Sequence, residues 1–112
     1  MDQPENPQTP VEIVDNLQRD RFELWRLGEG EHRDLIGFLA YRLISPEAVE
    51  LQHTVIAERF SRQGYARLLT TTLLERLAAR GASIVPTCTY VQDYLERFPE
   101  HRDLVVEAPE EA

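Results

Sequence analysis

At 112 residues, with a net charge of −8 and a pI near 4.8, the chain has room for one domain with one core. Its acidity argues against broad binding to nucleic acid or anionic lipid. No apolar run approaches the roughly 18 residues of a membrane helix, the first residues lack the basic and apolar segments of a signal peptide, and the single cysteine cannot close an internal disulfide. A reducing cytoplasmic setting, with no membrane and no nucleic acid as partner, is therefore expected.

In chain order, residues 1–10 carry Pro4, Pro7 and Pro10 among polar neighbours and read as a disordered or extended leader. Val11 to Leu17 reads as a strand, followed by a turn containing Asp20. Arg21 to Leu27 alternates polar and apolar residues at the two-residue period of a half-buried strand. Gly28 to Asp34 is rich in turn formers, Leu35 to Ile44 is a longer apolar strand, and Ser45-Pro46 ends it. Ala48 to Ala57 alternates again, with Val49, Leu51, His53 and Val55 on one face and Glu50, Gln52, Thr54 and Ile56 on the other. Three strand-turn-strand steps imply an antiparallel meander.

The period then changes. Leu69, Leu73 and Leu77 recur every fourth residue between Gly64 and Arg80, and Gly81 supplies a stop, so an amphipathic helix is expected. Ala82 to Val85 is a short apolar strand, joined to the previous one by a parallel crossover. Thr89 to Phe98 supports a second helix ended by Pro99, and Leu104 to Val106 reads as a last strand. Glu107 to Ala112 forms an acidic tail. The fold class is α+β: a mostly antiparallel central sheet with one parallel strand pair and two helices, as a single domain over residues 11–106.

Two strand-to-helix junctions hold the chemistry. At Ser61-Arg62-Gln63-Gly64-Tyr65-Ala66, a helix N-terminus offers unpaired N–H groups and partial positive charge, and Gly64 lets an anion approach the backbone. Arg59, Arg62 and Arg67 lie close enough in sequence to add charge; every basic residue here is arginine. The turn is neither a dinucleotide fingerprint nor a nucleotide-triphosphate loop, because the glycine triplet and the glycine-lysine-hydroxyl ending are both missing. Alternatively, Gly64 simply starts a helix.

At the second junction, Pro86 ends the strand and Cys88 precedes the next helix, where a thiolate gains from the helix dipole. Cys88 is open to two roles, a nucleophile or a small buried hydrophobe. Tyr90 and Tyr94 stand one helical turn apart, suited to protonating a leaving thiolate or to packing. His53, on an apolar face, is a candidate acid–base group or a satisfied core residue. His32 and His101 lie among polar residues, and the histidines and cysteine show no metal-ligand spacing, so no metal is expected.

These segments resemble the GNAT acetyltransferase superfamily, specifically its short YjdJ-like branch. The resemblance rests on His53-Thr54-Val55, on Phe60-Ser61-Arg62-Gln63-Gly64-Tyr65-Ala66, on Pro86-Thr87-Cys88-Thr89-Tyr90-Val91, and on Phe98-Pro99-Glu100-His101-Arg102-Asp103-Leu104-Val105. It implies a minimal GNAT-like fold in which acetyl-CoA lies between two splayed parallel strands. The pyrophosphate would rest on N–H groups around Arg62, Gln63, Gly64, Tyr65 and Ala66, with Arg67 and Val55 also counted as cofactor-binding. The acetyl group would lie near the His53 strand, with Cys88 close by. Relative to the usual turn, Ser61 holds the place of arginine or glutamine, and Arg62 that of a common glycine. Two functions follow: an acetyl-CoA-dependent N-acetyltransferase acting on an amine or other nucleophile, directly or through a Cys88 thioester, or a CoA- or acyl-CoA-binding module that acts through a partner. A monomer or a homodimer is expected.

Overall fold

The computed structural model describes residues 10–107, so the expected leader and acidic tail lie, apart from Pro10 and Glu107, outside the described residues. Strands β1 (Val11–Asn16), β2 (Arg21–Leu27), β3 (Arg33–Ser45) and β4 (Ala48–Ile56) form the antiparallel meander read from the alternation. Helix α1 (Tyr65–Ala79) follows, then β5 (Ser83–Pro86) and helix α2 (Thr89–Arg97). The sheet is five-stranded in the order β1-β2-β3-β4-β5, with β4 and β5 as its parallel pair. The expected α+β fold is observed, and β3 extends further than its apolar run, taking in Arg33 and Asp34.

Both helices pack on one face of the sheet. Leu69, Leu73 and Leu77, the four-residue repeat of α1, join Val91 and Leu95 of α2 over Phe22, Leu24, Leu39, Leu51 and Ile84 in one buried cluster. Across the seam between the helices, the hydroxyls of Thr71 and Tyr94 are 2.6 Å apart. Gly81 ends α1 with a left-handed φ of 74°. Its N–H donates to the Ala78 carbonyl, and that of Ala82 donates to Leu77, which satisfies carbonyls the helix end leaves open. The opposite face carries no helix among the described residues. Its polar side chains pair with one another: Glu23 accepts from Arg21 at 2.8 Å, Asn16 at 2.9 Å and Trp25 at 3.1 Å.

Two expectations are corrected. The first is the facing of β4. Ala40 pairs with His53 but Tyr41 pairs with Leu51, so Gln52 is an extra residue, a β-bulge. The bulge reverses the alternation after Leu51. Thr54 and Ile56 turn toward the helices, while His53 and Val55 become exposed on the outer face, away from Val49 and Leu51. The second is the last strand. Pro99–Leu104 forms a 3-10 turn, and the segment after it makes a single parallel bridge, Val105 with Ile84, with the Val106 N–H donating to the Ile84 carbonyl at 2.9 Å. The coiled approach through the turn leaves too few extended residues to build a ladder.

Candidate active site

The site begins where β4 and β5 part. Their pairing runs from Ala48 with Ser83 to Leu51 with Pro86. There the chain of β5 turns away: the N–H groups of Thr87 and Cys88 both donate to the Leu51 carbonyl, at 3.1 and 2.8 Å. Proline suits this last position because it has no N–H to continue the ladder. Beyond Leu51, β4 keeps β3 on one side but among the described residues has no strand on the other, so its backbone edge from Gln52 to Ile56 faces a wedge between the strands.

Cys88 closes the narrow end of this wedge. It occupies the N-cap of α2 in extended backbone, its side chain caps nothing, and its residue is 5% exposed. Its Sγ lies 3.3 Å from Thr54 Oγ1, a contact that exists only because the Gln52 bulge turns Thr54 inward. On the outer face at the same level, Glu50 accepts from Thr87 Oγ1 at 2.6 Å, from Arg42 at 3.0 Å and from Gln52 at 3.4 Å. The Thr87 hydrogen bond, aided by Arg42 and Gln52, holds the Glu50 carboxyl below the usual carboxylate range despite some burial.

The open end of the wedge meets the turn before α1. The chain passes through Glu58–Phe60 as a 3-10 turn, then through Arg62 at φ 63° and Gly64 at φ 87°. Arg62 therefore adopts, in the position of the usual glycine, the left-handed backbone that glycine adopts at least cost. Gly64 is the N-cap of α1 with no side-chain cap, and the N–H groups of Arg62 to Arg67 find no acceptor among the described residues. Such a concave run of donors at a helix N-terminus fits a pyrophosphate. Phe60 and Tyr65, both buried, anchor the turn from beneath in an edge-to-face contact at 6.1 Å. Ile56, Arg62, Ala66, Arg67 and Tyr90 line the hollow above it.

Not every sequence candidate converges on this hollow. Gly64, Tyr65, Ala66, Arg62, Arg67 and Tyr90 line it, whereas Gln63 contributes only its backbone to the turn. Arg59 is engaged elsewhere, 3.3 Å from Asp34 and over the Phe60 ring, and Asp34 also pairs with Arg26 at 3.0 Å. Tyr90 borders both this hollow and the next along the seam, and burial, with Tyr94 nearby, pushes its phenol above the ordinary range. Tyr94 is more deeply set, with its hydroxyl committed to Thr71 and its ring 4.9 Å from Phe98. His53 and Val55 point to the outer face. Glu50, Thr54 and Thr87 were missed by sequence reasoning. A Glu–Thr pair 37 residues apart leaves no local spacing signal, and strict alternation puts Thr54 on the wrong face. Among the described residues, no cluster of His, Cys, Asp and Glu could hold a metal.

A mixed sheet whose parallel pair opens over a glycine-containing turn and helix N-terminus is the architecture expected from the sequence. The family model described as GCN5-related N-acetyl-transferase matches residues 21–104, and the chain belongs to that family. The chain is also similar to Protein NATD1 of Mus musculus, 27% identical over 90 residues that cover 80% of this chain and 78% of that protein. Protein NATD1 of Xenopus tropicalis is 24% identical over 94 residues, covering 84% and 83%. Among solved structures, the solution NMR structure of a GCN5-like protein from Staphylococcus aureus shares the fold, with a TM-score of 0.63, 18% identity, and coverage of 88% and 90%.

Proposed function

We propose that this chain binds acetyl-CoA in the wedge between β4 and β5 and transfers its acetyl group to an amine or other nucleophile. The observation that carries this is one hollow lined by Ile56 at the unpartnered edge of β4, by the turn from Arg62 to Arg67 with its open N–H groups, and by Tyr90, with Cys88 buried behind Thr54 where β4 and β5 part. The turn would hold the pyrophosphate through backbone donors, with Arg62 and Arg67 adding charge. The edge of β4, including the backbone of Val55, would pair with the amides of the pantetheine arm. With only the short turn at residues 17–20 between β1 and β2, no helix covers the outer face among the described residues, and the acceptor would approach there, past His53 and Glu50. We also place the chain in the short branch of the family on this open face.

In direct transfer, the acceptor nitrogen bonds to the acetyl carbon, the carbon–sulfur bond breaks, and the CoA sulfur leaves as a thiolate. The acceptor nitrogen gives up its proton to solvent, Glu50, held ionised on the outer face, draws the cationic acceptor in, and Tyr90, held protonated, gives a proton to the departing sulfur. In the covalent route, the Cys88 sulfur first bonds to the acetyl carbon as CoA leaves, its proton passing to the CoA sulfur, and the acceptor then displaces Cys88. Mass spectrometry after incubation with acetyl-CoA separates the two, since the absence of lysine removes the commonest acetylation background. A hydroxylamine-sensitive acetyl group on Cys88 supports the covalent route; full activity in Cys88→Ala eliminates it. The open outer face also favours a second function, a CoA-binding module without turnover, which predicts tight CoA binding and no CoA release above background with any amine.

A further inference from the structure

A second hollow lies at the other end of the core from the wedge, beneath the C-terminal half of α1. Its volume is about 110 Å³, and its walls are Phe22, Val49, Leu73 and Leu77. Leu17 and Leu43 form its rim and are the most exposed large apolar residues described, at 71% and 55%. An apolar cavity of roughly 150 Å³ takes a benzene ring, so this one suits a branched group of four carbons.

Its polar groups are few and converge. Tyr41 Oη donates to Asp15 Oδ1 at 2.6 Å, which leaves the second Asp15 oxygen without a partner among the described residues. Arg80, at the end of α1, lines the same hollow and makes no ion pair among the described residues, with Asp15 or any other carboxylate. An apolar hole bordered by one carboxylate and one guanidinium that do not neutralise each other matches a zwitterion with a branched side chain. We propose that this hollow is a binding site for a branched-chain α-amino acid: the side chain enters between Leu73 and Leu77, the ammonium meets Asp15, and the carboxylate meets Arg80. Because the hollow shares no lining residue with the wedge, the ligand is an effector or companion of the transferase site rather than its acceptor.

The test is an amide-shift titration of the full chain with L-leucine, alongside 4-methylpentanoate, which lacks the amine, isoamylamine, which lacks the carboxylate, and glycine, which lacks the side chain. Saturable millimolar binding of leucine is expected, with shifts at Leu17, Tyr41 and Leu77, and weakening of at least about tenfold for each truncated analogue. Asp15→Asn and Arg80→Gln should each weaken leucine by a similar factor. Because Tyr41 can still donate to an asparagine oxygen, an unchanged amide spectrum elsewhere checks that the fold survives. No saturable leucine shift, shifts matched by glycine, or full affinity in Arg80→Gln would overturn the proposal.

Discussion

The two tyrosines of α2 are chemically alike and differently placed, which lets one substitution each separate chemistry from stability. If Tyr90 protonates the departing thiolate as proposed, Tyr90→Phe should lower kcat by about 100-fold while leaving CoA affinity unchanged. Tyr94→Phe should leave kcat near normal and cost about 1 kcal/mol of stability, the worth of its hydrogen bond to Thr71. Steady-state kinetics and thermal melts of both variants check this, and equal kinetic losses would contradict it. Glu50 gives a pH test. Its carboxyl is held below the unfolded value, so its contribution to stability is complete above roughly pH 4 to 5 and is lost as pH falls through the folded value. Thr87→Val removes the largest cause of that shift, and the acid-unfolding midpoint, followed by circular dichroism, should move to higher pH. At this scale the sequence was only partly legible. Cys88, Tyr90 and the turn stand at visible junctions, but Thr54 was hidden, because no glycine or proline marks the extra residue at Gln52 and strict alternation then sent His53 and Val55 to the core.

Among the elements, the turn before α1 and the end of β4 depend on particular backbone conditions. Arg62 holds a left-handed φ of 63°, and relief of that strain, about 1–2 kcal/mol, outweighs the roughly 0.4–1 kcal/mol of added freedom in the unfolded chain. Arg62→Gly should therefore be slightly more stable than wild type, and Arg62→Ala should not, although both lose the same charge; denaturant titrations of the pair decide it. Gly37, in the middle of β3, has the opposite role. A Cβ there would come within 2.6 Å of Ile56 Cδ1 and press on the Val55 carbonyl, in the stretch of β4 that borders the wedge. Gly37→Ala should cost about 1–3 kcal/mol and weaken CoA binding together with stability. The leucine repeat of α1 and the alternation of β2 were plain in the sequence because each periodicity faces one continuous core. The segment after Pro99 was not, because three apolar residues look alike whether they form a ladder or touch a strand at a single bridge.

The whole molecule is a sheet with helices on one side and a polar face on the other. Among the described residues, α1 and α2 cover the apolar face and no helix covers the face from which the β4–β5 wedge is reached. The acidic net charge of −8 would draw a cationic acceptor toward it by long-range steering. In the proposed reading the wedge and the turn together hold CoA. An amide-shift titration of the full chain with CoA tests it most directly. Saturable shifts confined to Arg62–Arg67, Thr54–Ile56 and Cys88–Tyr90 are predicted, with the affinity reduced in Gly64→Val; no saturable shift at millimolar CoA, or shifts elsewhere with these residues silent, would contradict the account.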